Sequence, residues 1–497
     1  MKCVNIMNFA RSYEPRNAAV EAKLAETTKQ QLDLVNEMGV EATFLLQYDV
    51  IVNEEFVRII KDRAGENIEL GLWFEIVEPL TSACGMPYES ERGWKWDWYI
   101  KPGFSMAYPL NEREKLINEA MRKFREVFGY YPRTVGSWML DTYTVNYLND
   151  NYEIDALCFC RDQINTDAYT FVGGYFNQAY YPSRNNMFTP AQTNSLQINT
   201  PVFRLLGSDP IHNYDYNKYA SENAQRGPYT MELTYDTAGK NPRIVDWYLK
   251  SYFGTECLDF AYMQIGQENS FAMFDIITPL AMQIEKILKL EDVKIEKMCD
   301  TGRRFKEKFK TTPTTAVCAL DNWDTPDCQS AWYDSINYTA NIFRHEKNVA
   351  IRALYLFDER IPDYYNNHIC TTFDAVYENM PIVDTVYQKG DTDGGIGMLL
   401  DGAAESFSVE KVGEDTLRVY WSNKSAMFTK DRIILYNCNV KFTYNMYNTK
   451  ISTDSTTIYY EYKGNKYALH TEGATLTHES GTISIDGSHI TLVPTKI

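Results

Sequence analysis

Over its first two thirds the chain alternates short apolar runs with longer stretches of helical spacing. That alternation is the mark of βα units wrapped around a parallel sheet. Strands are expected at 4–9, 42–49, 68–75, 134–140, 155–160, 202–208 and 260–265, with 314–320 as the candidate eighth. Between them helical patterns run over 17–38, 53–64, 111–128 and 271–289. Gly39 stops the first helix and Asn53, with Glu55 close behind, caps the second. Eight such strands predict a (β/α) TIM-like barrel, which absorbs roughly 250 to 400 residues as one unit.

The chain has 497 residues, so something must follow the barrel. Near Lys389 the helical pattern ends in Lys389-Gly-Asp-Thr-Asp-Gly-Gly-Ile-Gly, which reads as a linker over 389–402. From 403 to 497 the texture becomes alternation, as in Thr416-Leu-Arg-Val-Tyr-Trp and Ile483-Ser-Ile-Asp. The expected organisation is therefore an α/β barrel over 1–388 and a small C-terminal β-sandwich.

A formal net charge of -18 excludes nucleic-acid backbones and anionic membranes as natural partners, since both repel an acidic surface. No apolar stretch approaches the roughly 20 residues of a membrane helix, and Met1-Lys-Cys-Val-Asn-Ile-Met-Asn-Phe has no signal-peptide core. The ten cysteines are scattered without a CxxC pair, so free thiols in a cytoplasmic protein are expected. A neutral soluble ligand fits this balance better than a charged polymer.

In a βα barrel the strand ends carry chemistry. The run at 134–140 ends in Trp138-Met-Leu-Asp141, and the run at 260–265 ends in Gly-Gln-Glu268-Asn269. Hydrolysis of a glycosidic bond needs one carboxylic acid to protonate the leaving oxygen and one carboxylate to attack or to activate water. Asp141 and Glu268 are the candidate pair, although each acid could equally cap the helix behind it. Polar and aromatic groups at the other strand ends would line a sugar pocket: Asn8, Arg11, Asp49, Trp73, Glu75, Trp138, Arg161 with Gln163, Asp209 with His212, Asn269, and Asp321 with Trp323. Arg11, Glu14 and Arg16 could instead form an ion network that orients the acids.

The loop 79–108 carries Trp94, Trp96 and Trp98 at every second position, which would turn them to one side as a stacking platform if extended. The alternative is a satellite hydrophobic cluster under a long loop. A second long insert, 166–197, is rich in Tyr, Asn and Gly. GxGxxG, the P-loop, HExxH and GxSxG do not occur, and the six histidines include no HxxxH pair. No cofactor or metal is therefore expected.

The order of Gly39-Val-Glu-Ala-Thr-Phe-Leu-Leu46, Glu69-Leu-Gly-Leu-Trp-Phe-Glu75 and Phe128-Gly-Tyr-Tyr-Pro132 resembles the barrels of polysaccharide deacetylases and of glycoside hydrolase families 57 and 38. The likeness covers roughly residues 1–210 and extends to bacterial two-domain proteins that join such a barrel to a small β domain. It implies a nucleophile after strand four, Asp141, and an acid/base after strand seven, Glu268. The deacetylases' metal-binding HxxxH is replaced here by Leu72-Trp-Phe-Glu-Ile76. The expected activity is that of a glycoside hydrolase acting on an oligosaccharide or glycan. The alternatives are a metal-dependent carbohydrate esterase built on Asp49, Glu75 and Asp209, and a sugar-binding barrel without catalysis.

Overall fold

The computed structural model describes residues 1–159, 173–204, 209–212, 231, 242–254, 256–272, 274–323, 327–385, 397–444, 449–479 and 481–497. Its first sheet runs in the order β6-β7-β5-β4-β3-β2-β1-β8. Its strands are β1 (Lys2–Ala10), β2 (Ala42–Leu46), β3 (Ile68–Trp73), β4 (Thr134–Ser137), β5 (Ala156–Phe159), β6 (Ala179–Tyr180), β7 (Val202–Arg204) and β8 (Ala261–Ile265). A short β9 (Lys294–Ile295) also pairs with β1. Eight of these nine strands run parallel, and β6 pairs antiparallel with β7. β2, β4 and β5 are buried along their whole length, as strands covered by helices on one side and a barrel interior on the other must be.

Among the described residues the sheet ends on β6 and β8, and a side chain bridges the gap between them. Gln178 donates Nε2–H to the Tyr262 carbonyl at 3.0 Å and accepts the Tyr262 N–H on Oε1 at 2.8 Å. One amide thus reproduces the pair of bonds a neighbouring strand would supply. Phe203 of β7 packs on Tyr262 of β8 with ring centroids 5.2 Å apart beside it.

Strand parity fills the interior in layers. Leu45 points inward, and a β-carbon on Gly71 would lie 2.5 Å from Leu45 Cδ2, while one on Gly136 would lie 2.6 Å from Cys158 Sγ. Both positions need glycine because the interior beside them is already full. Above this layer Phe9 and Trp73 stack at 4.2 Å, and Trp138 meets both edge-on at 5.3 and 5.7 Å. These three rings plug the barrel and floor what lies at its mouth.

Several expected elements differ in extent. The first helix divides into Ala18–Glu21 and Leu24–Met38, and the last helix before β9 spans Ile277–Ile287. The expected eighth strand does not join the barrel: β10 (Thr315–Ala319) pairs antiparallel with β11 (Cys328–Asp334). β10 is a short apolar run like the barrel strands, and periodicity cannot tell which sheet such a run will enter.

β10 and β11 open a second sheet with β12 (Tyr338–His345), β13 (Asn348–Leu356), β14 (Met380–Asp384) and β15 (Met398–Leu400), joined later by β20 (Val440–Thr443), β24 (Thr475–Glu479) and β25 (Thr482–Asp486). The third sheet holds β16 (Ser408–Lys411), β17 (Leu417–Trp421), β18 (Lys424–Phe428), β19 (Ile433–Tyr436), β21 (Thr449–Thr453), β22 (Thr457–Tyr462), β23 (Asn465–Glu472) and β26 (His489–Lys496). The inner faces of these two antiparallel sheets share one core around Ile342, Leu354, Trp421, Leu435, Ile483 and Leu492. Clean alternation marks their solvated strands, as in β20 (Val440–Thr443). Of the expected linker, 389–396 lie outside the described residues. Among the described residues the nine cysteines are free, and no helix is long and apolar enough to cross a membrane.

Candidate active site

The polar layer above the Phe9–Trp73–Trp138 plug is built from the carboxyl ends of β1, β2, β3 and β8. Gly266, at φ +127°, has the Met7 backbone against it with no room for a β-carbon. That close approach turns the chain after β8 so that Glu268 bridges to Phe9 and Gln267 N donates to Asn8 Oδ1 at 2.9 Å. Asn269 fixes the end of β1 from the other side, accepting the Arg11 N–H at 3.1 Å and donating to the Arg11 carbonyl at 2.8 Å. Asn8 and Asn269 therefore tie the end of β1 to the turn after β8.

Arg11 stands at its centre. Its Nη2 pairs with Glu268 Oε1, Nη1 lies 3.9 Å from Glu14 Oε2, and its guanidinium lies 3.8 Å from the Trp96 ring centroid. Trp96 turns its indole N–H to Glu75 Oε2 at 2.8 Å, and Gln47 Nε2 donates to the same oxygen at 2.6 Å. Glu75 Oε1 and the Trp73 indole N–H make no hydrogen bond of ordinary geometry, but Trp73 lies close enough to favour the ionised carboxyl. Glu268 also accepts from Ser270 Oγ.

Burial dominates the electrostatics. Glu75 is 1 % exposed, and desolvation pushes its pKa up to about 7; Arg11 and Trp96 oppose that rise and the Glu268 charge adds to it. Glu268 is likewise raised by burial, against the pull of Arg11 and Ser270. Burial would also raise Glu14, but Arg16 and Arg11 outweigh it and hold that carboxyl below its usual range. The layer thus holds one carboxyl that is readily protonated near neutrality and one tied to a guanidinium.

Asp49 lies next to this layer. Its Oδ2 accepts from Ser12 N at 2.8 Å and Ser12 Oγ at 3.0 Å, its Oδ1 accepts from Val50 N at 2.8 Å, and burial lifts it to about 6. The Trp loop is mostly a cation clasp. Arg92 lies 4.0 Å from the Trp94 centroid and 3.7 Å from that of Trp98, and Arg16 lies 5.1 Å from Trp98. Those indole faces are occupied by arginines.

Asp141 sits fully buried at the N-cap of the helix Thr142–Asn151. Its Oδ1 accepts from Arg113 Nη1 at 2.9 Å and Thr144 N at 3.0 Å, and its Oδ2 from Thr144 Oγ1 at 2.7 Å and Ser105 Oγ at 2.5 Å. Asp209 accepts from the N–H groups of Ile211 and His212, each at 2.8 Å, and His212 Nε2 meets Asn322 Nδ2 at 2.9 Å. Asp321 pairs with Lys250 at the surface, and Trp323 packs against the core. Arg161 and Gln163 lie outside the described residues. Among the described residues no group of three His, Cys, Asp or Glu side chains could hold a metal ion, so Asp49, Glu75 and Asp209 do not assemble into one.

Gln47, Ser270 and Arg113 were not anticipated. Gln47 shares inward parity with Leu45, a signal that becomes legible once the strand is fixed. Arg113 had none, because a helical arginine reads as solvated.

No family model matches the chain, and no curated protein matches it. Solved structures do. A Parabacteroides distasonis protein provisionally described as a glycoside hydrolase/deacetylase superposes with a TM-score of 0.52 at 14% identity, over 77% of this chain and 88% of that one. A Mycobacterium smegmatis protein provisionally described as a polysaccharide deacetylase gives 0.39 at 12% identity, over 63% and 92%. A 4-alpha-glucanotransferase from Thermococcus litoralis gives 0.33 at 8%, over 100% and 98%. The first likeness defines the fold class, a (β/α) barrel carrying additional antiparallel sheets.

Proposed function

We propose that this chain is a carbohydrate-active hydrolase, specifically a glycosidase, whose carboxyl pair is Glu75 and Glu268. The observation that carries the reading is two buried carboxyls at strand ends on either side of one guanidinium: Glu268 pairs with Arg11, and the same arginine acts on Glu75, whose pKa burial pushes up to about 7. Protonated Glu75 would give its proton to the leaving glycosidic oxygen through Oε1, the oxygen with no hydrogen bond. Glu268, in its ionised form paired with Arg11, would attack the anomeric carbon or activate water. The described fellow of this fold carries the words glycoside hydrolase/deacetylase, which agrees with a carbohydrate substrate.

In this reading Glu75 replaces Asp141 in the pair and serves as the acid, and Glu268, expected as the acid/base, serves as the nucleophile or base. A nucleophile or acid needs a lone pair or proton aimed at substrate, and each Asp141 oxygen already accepts two hydrogen bonds. The test is hydrolysis of aryl α- and β-glycosides by wild type, Glu75→Gln and Glu268→Gln, with and without EDTA. Turnover of one glycoside, cut roughly 10²-fold or more in both variants and indifferent to EDTA, is the expected result. Wild-type rates in both variants overturn it.

A further inference from the structure

We infer that the cleft above Asp49 is a binding subsite for one neutral pyranose ring, next to the carboxyl pair. The inference rests on the glycosidase reading for the nature of its ligand, and on the following geometry for its place. The cleft has a volume of ≈ 260 Å³ and is lined by Ser12, Tyr13, Asp49, Asn53, Pro79 and Lys95, with Val52 at its rim. Sites for drug-sized ligands run from roughly 300 to 1,000 Å³, so this one has room for a single ring rather than a chain.

Its polar atoms are left open in a pattern that hydroxyl groups satisfy. Asp49 is 6 % exposed, and its Oδ1 accepts one protein hydrogen bond, leaving a lone pair for a hydroxyl donor. Asn53 spends its Oδ1 on the N–H groups of Glu55 and Phe56, at 3.0 and 3.4 Å, so that its Nδ2 remains a donor. Lys95 Nζ and the Tyr13 hydroxyl have no protein partner among the described residues, and the Tyr13 ring supplies an apolar face. A sugar hydroxyl both donates and accepts, so adjacent hydroxyls of one ring can answer a carboxylate, an amide and an ammonium together. The two formal charges, Asp49 and Lys95, cancel, which favours a neutral ring over a uronic acid or a hexosamine.

The cleft is also next to the chemistry in the chain. Ser12 follows Arg11, which binds Glu268, and Lys95 precedes Trp96, which binds Glu75. A ring held there would present its neighbour to the carboxyl layer.

The test is saturation-transfer NMR of the full chain with methyl hexopyranosides, a methyl uronide and a methyl hexosaminide, comparing wild type, Lys95→Ala and Asp49→Asn. Lys95 is exposed, so its variant keeps the fold even if Asp49→Asn does not, and thermal unfolding checks both. Binding of a neutral hexoside, weakened about tenfold in Lys95→Ala, is expected. A Kd unchanged in Lys95→Ala, preference for a charged sugar, or no hexoside binding by wild type overturns the subsite. The two readings separate cleanly: hexoside binding without hydrolysis of any glycoside removes the glycosidase and keeps the subsite. Hydrolysis with KM unchanged in Lys95→Ala and Asp49→Asn does the reverse.

Discussion

Trp96 donates its indole N–H to Glu75 at 2.8 Å while the face of the same ring lies 3.8 Å below the Arg11 guanidinium. One side chain therefore bears on the proposed acid and, through Arg11, on its partner Glu268. Trp96→Phe keeps a ring for Arg11 and removes the hydrogen bond that favours ionised Glu75. The basic limb of the pH–rate profile, set near 7 by Glu75, should then move up by about one pH unit. A limb that stays in place would separate Trp96 from the acid's tuning.

Stability should fall as pH rises through the window where Glu75 titrates. Its folded pKa is about 7 against an ordinary 4.5, so between those values the folded state binds more protons than the unfolded one. Asp49, lifted from 3.8 to about 6, acts in the same direction. Glu75→Gln keeps an acceptor for Gln47 and Trp96 and cannot ionise. Relative to wild type it should gain ~1–3 kcal/mol between pH 4 and pH 8 in urea unfolding. Parallel curves for the two proteins would contradict the burial argument.

Asp141→Ala strands Arg113 as a buried charge without its carboxylate and removes a helix cap. A loss of about 3–5 kcal/mol is expected by chemical denaturation. Asp141→Asn, which retains some of the acceptors, should lose less. A stable Asp141→Asn protein with no turnover would return Asp141 to the chemistry.

Gly136→Ala should cost about 1–3 kcal/mol, because its β-carbon has Cys158 Sγ 2.6 Å away in a filled interior. The cost should shrink in the double variant Gly136→Ala/Leu45→Ala, since a β-carbon at 136 also meets the Leu45 side chain. Additive losses in the two variants would show that the contact is not shared.

Gln178→Ala removes both bonds to the Tyr262 backbone and leaves the open edge of β8 unanswered. Faster amide exchange at Tyr262, with exchange on β2 unchanged, is the expected signature. Equal protection in both proteins would mean that the barrel is held at this edge by Phe203 and Tyr262 packing alone.

The strand ends were legible in the sequence because apolar runs have an end whether or not their neighbours are known. Arg11, Glu75, Trp96 and Glu268 were all picked out as strand-end or loop groups. Their mutual arrangement was not, since it depends on which strands are adjacent. β1 lies between β2 and β8, and that order brings residue 11 to residue 268. The same ignorance of pairing sent 314–320 into the barrel, when its partner is the antiparallel β11.

By itself, then, the chain's local pattern determined alternating strands and helices, a β-rich C-terminal region and a set of polar groups at strand ends. Those follow from periodicity, which each segment carries alone. Tertiary structure decided what each acid does. Asp141 and Glu268 sit in similar sequence settings, yet Asp141 accepts four hydrogen bonds at a helix N-cap, while Glu268 meets Arg11 and Ser270 near a second buried carboxyl. Desolvation and hydrogen-bond count are properties of the surroundings, and those surroundings come from other segments of the chain: Arg113 and Ser105 for Asp141, and Arg11 for Glu268.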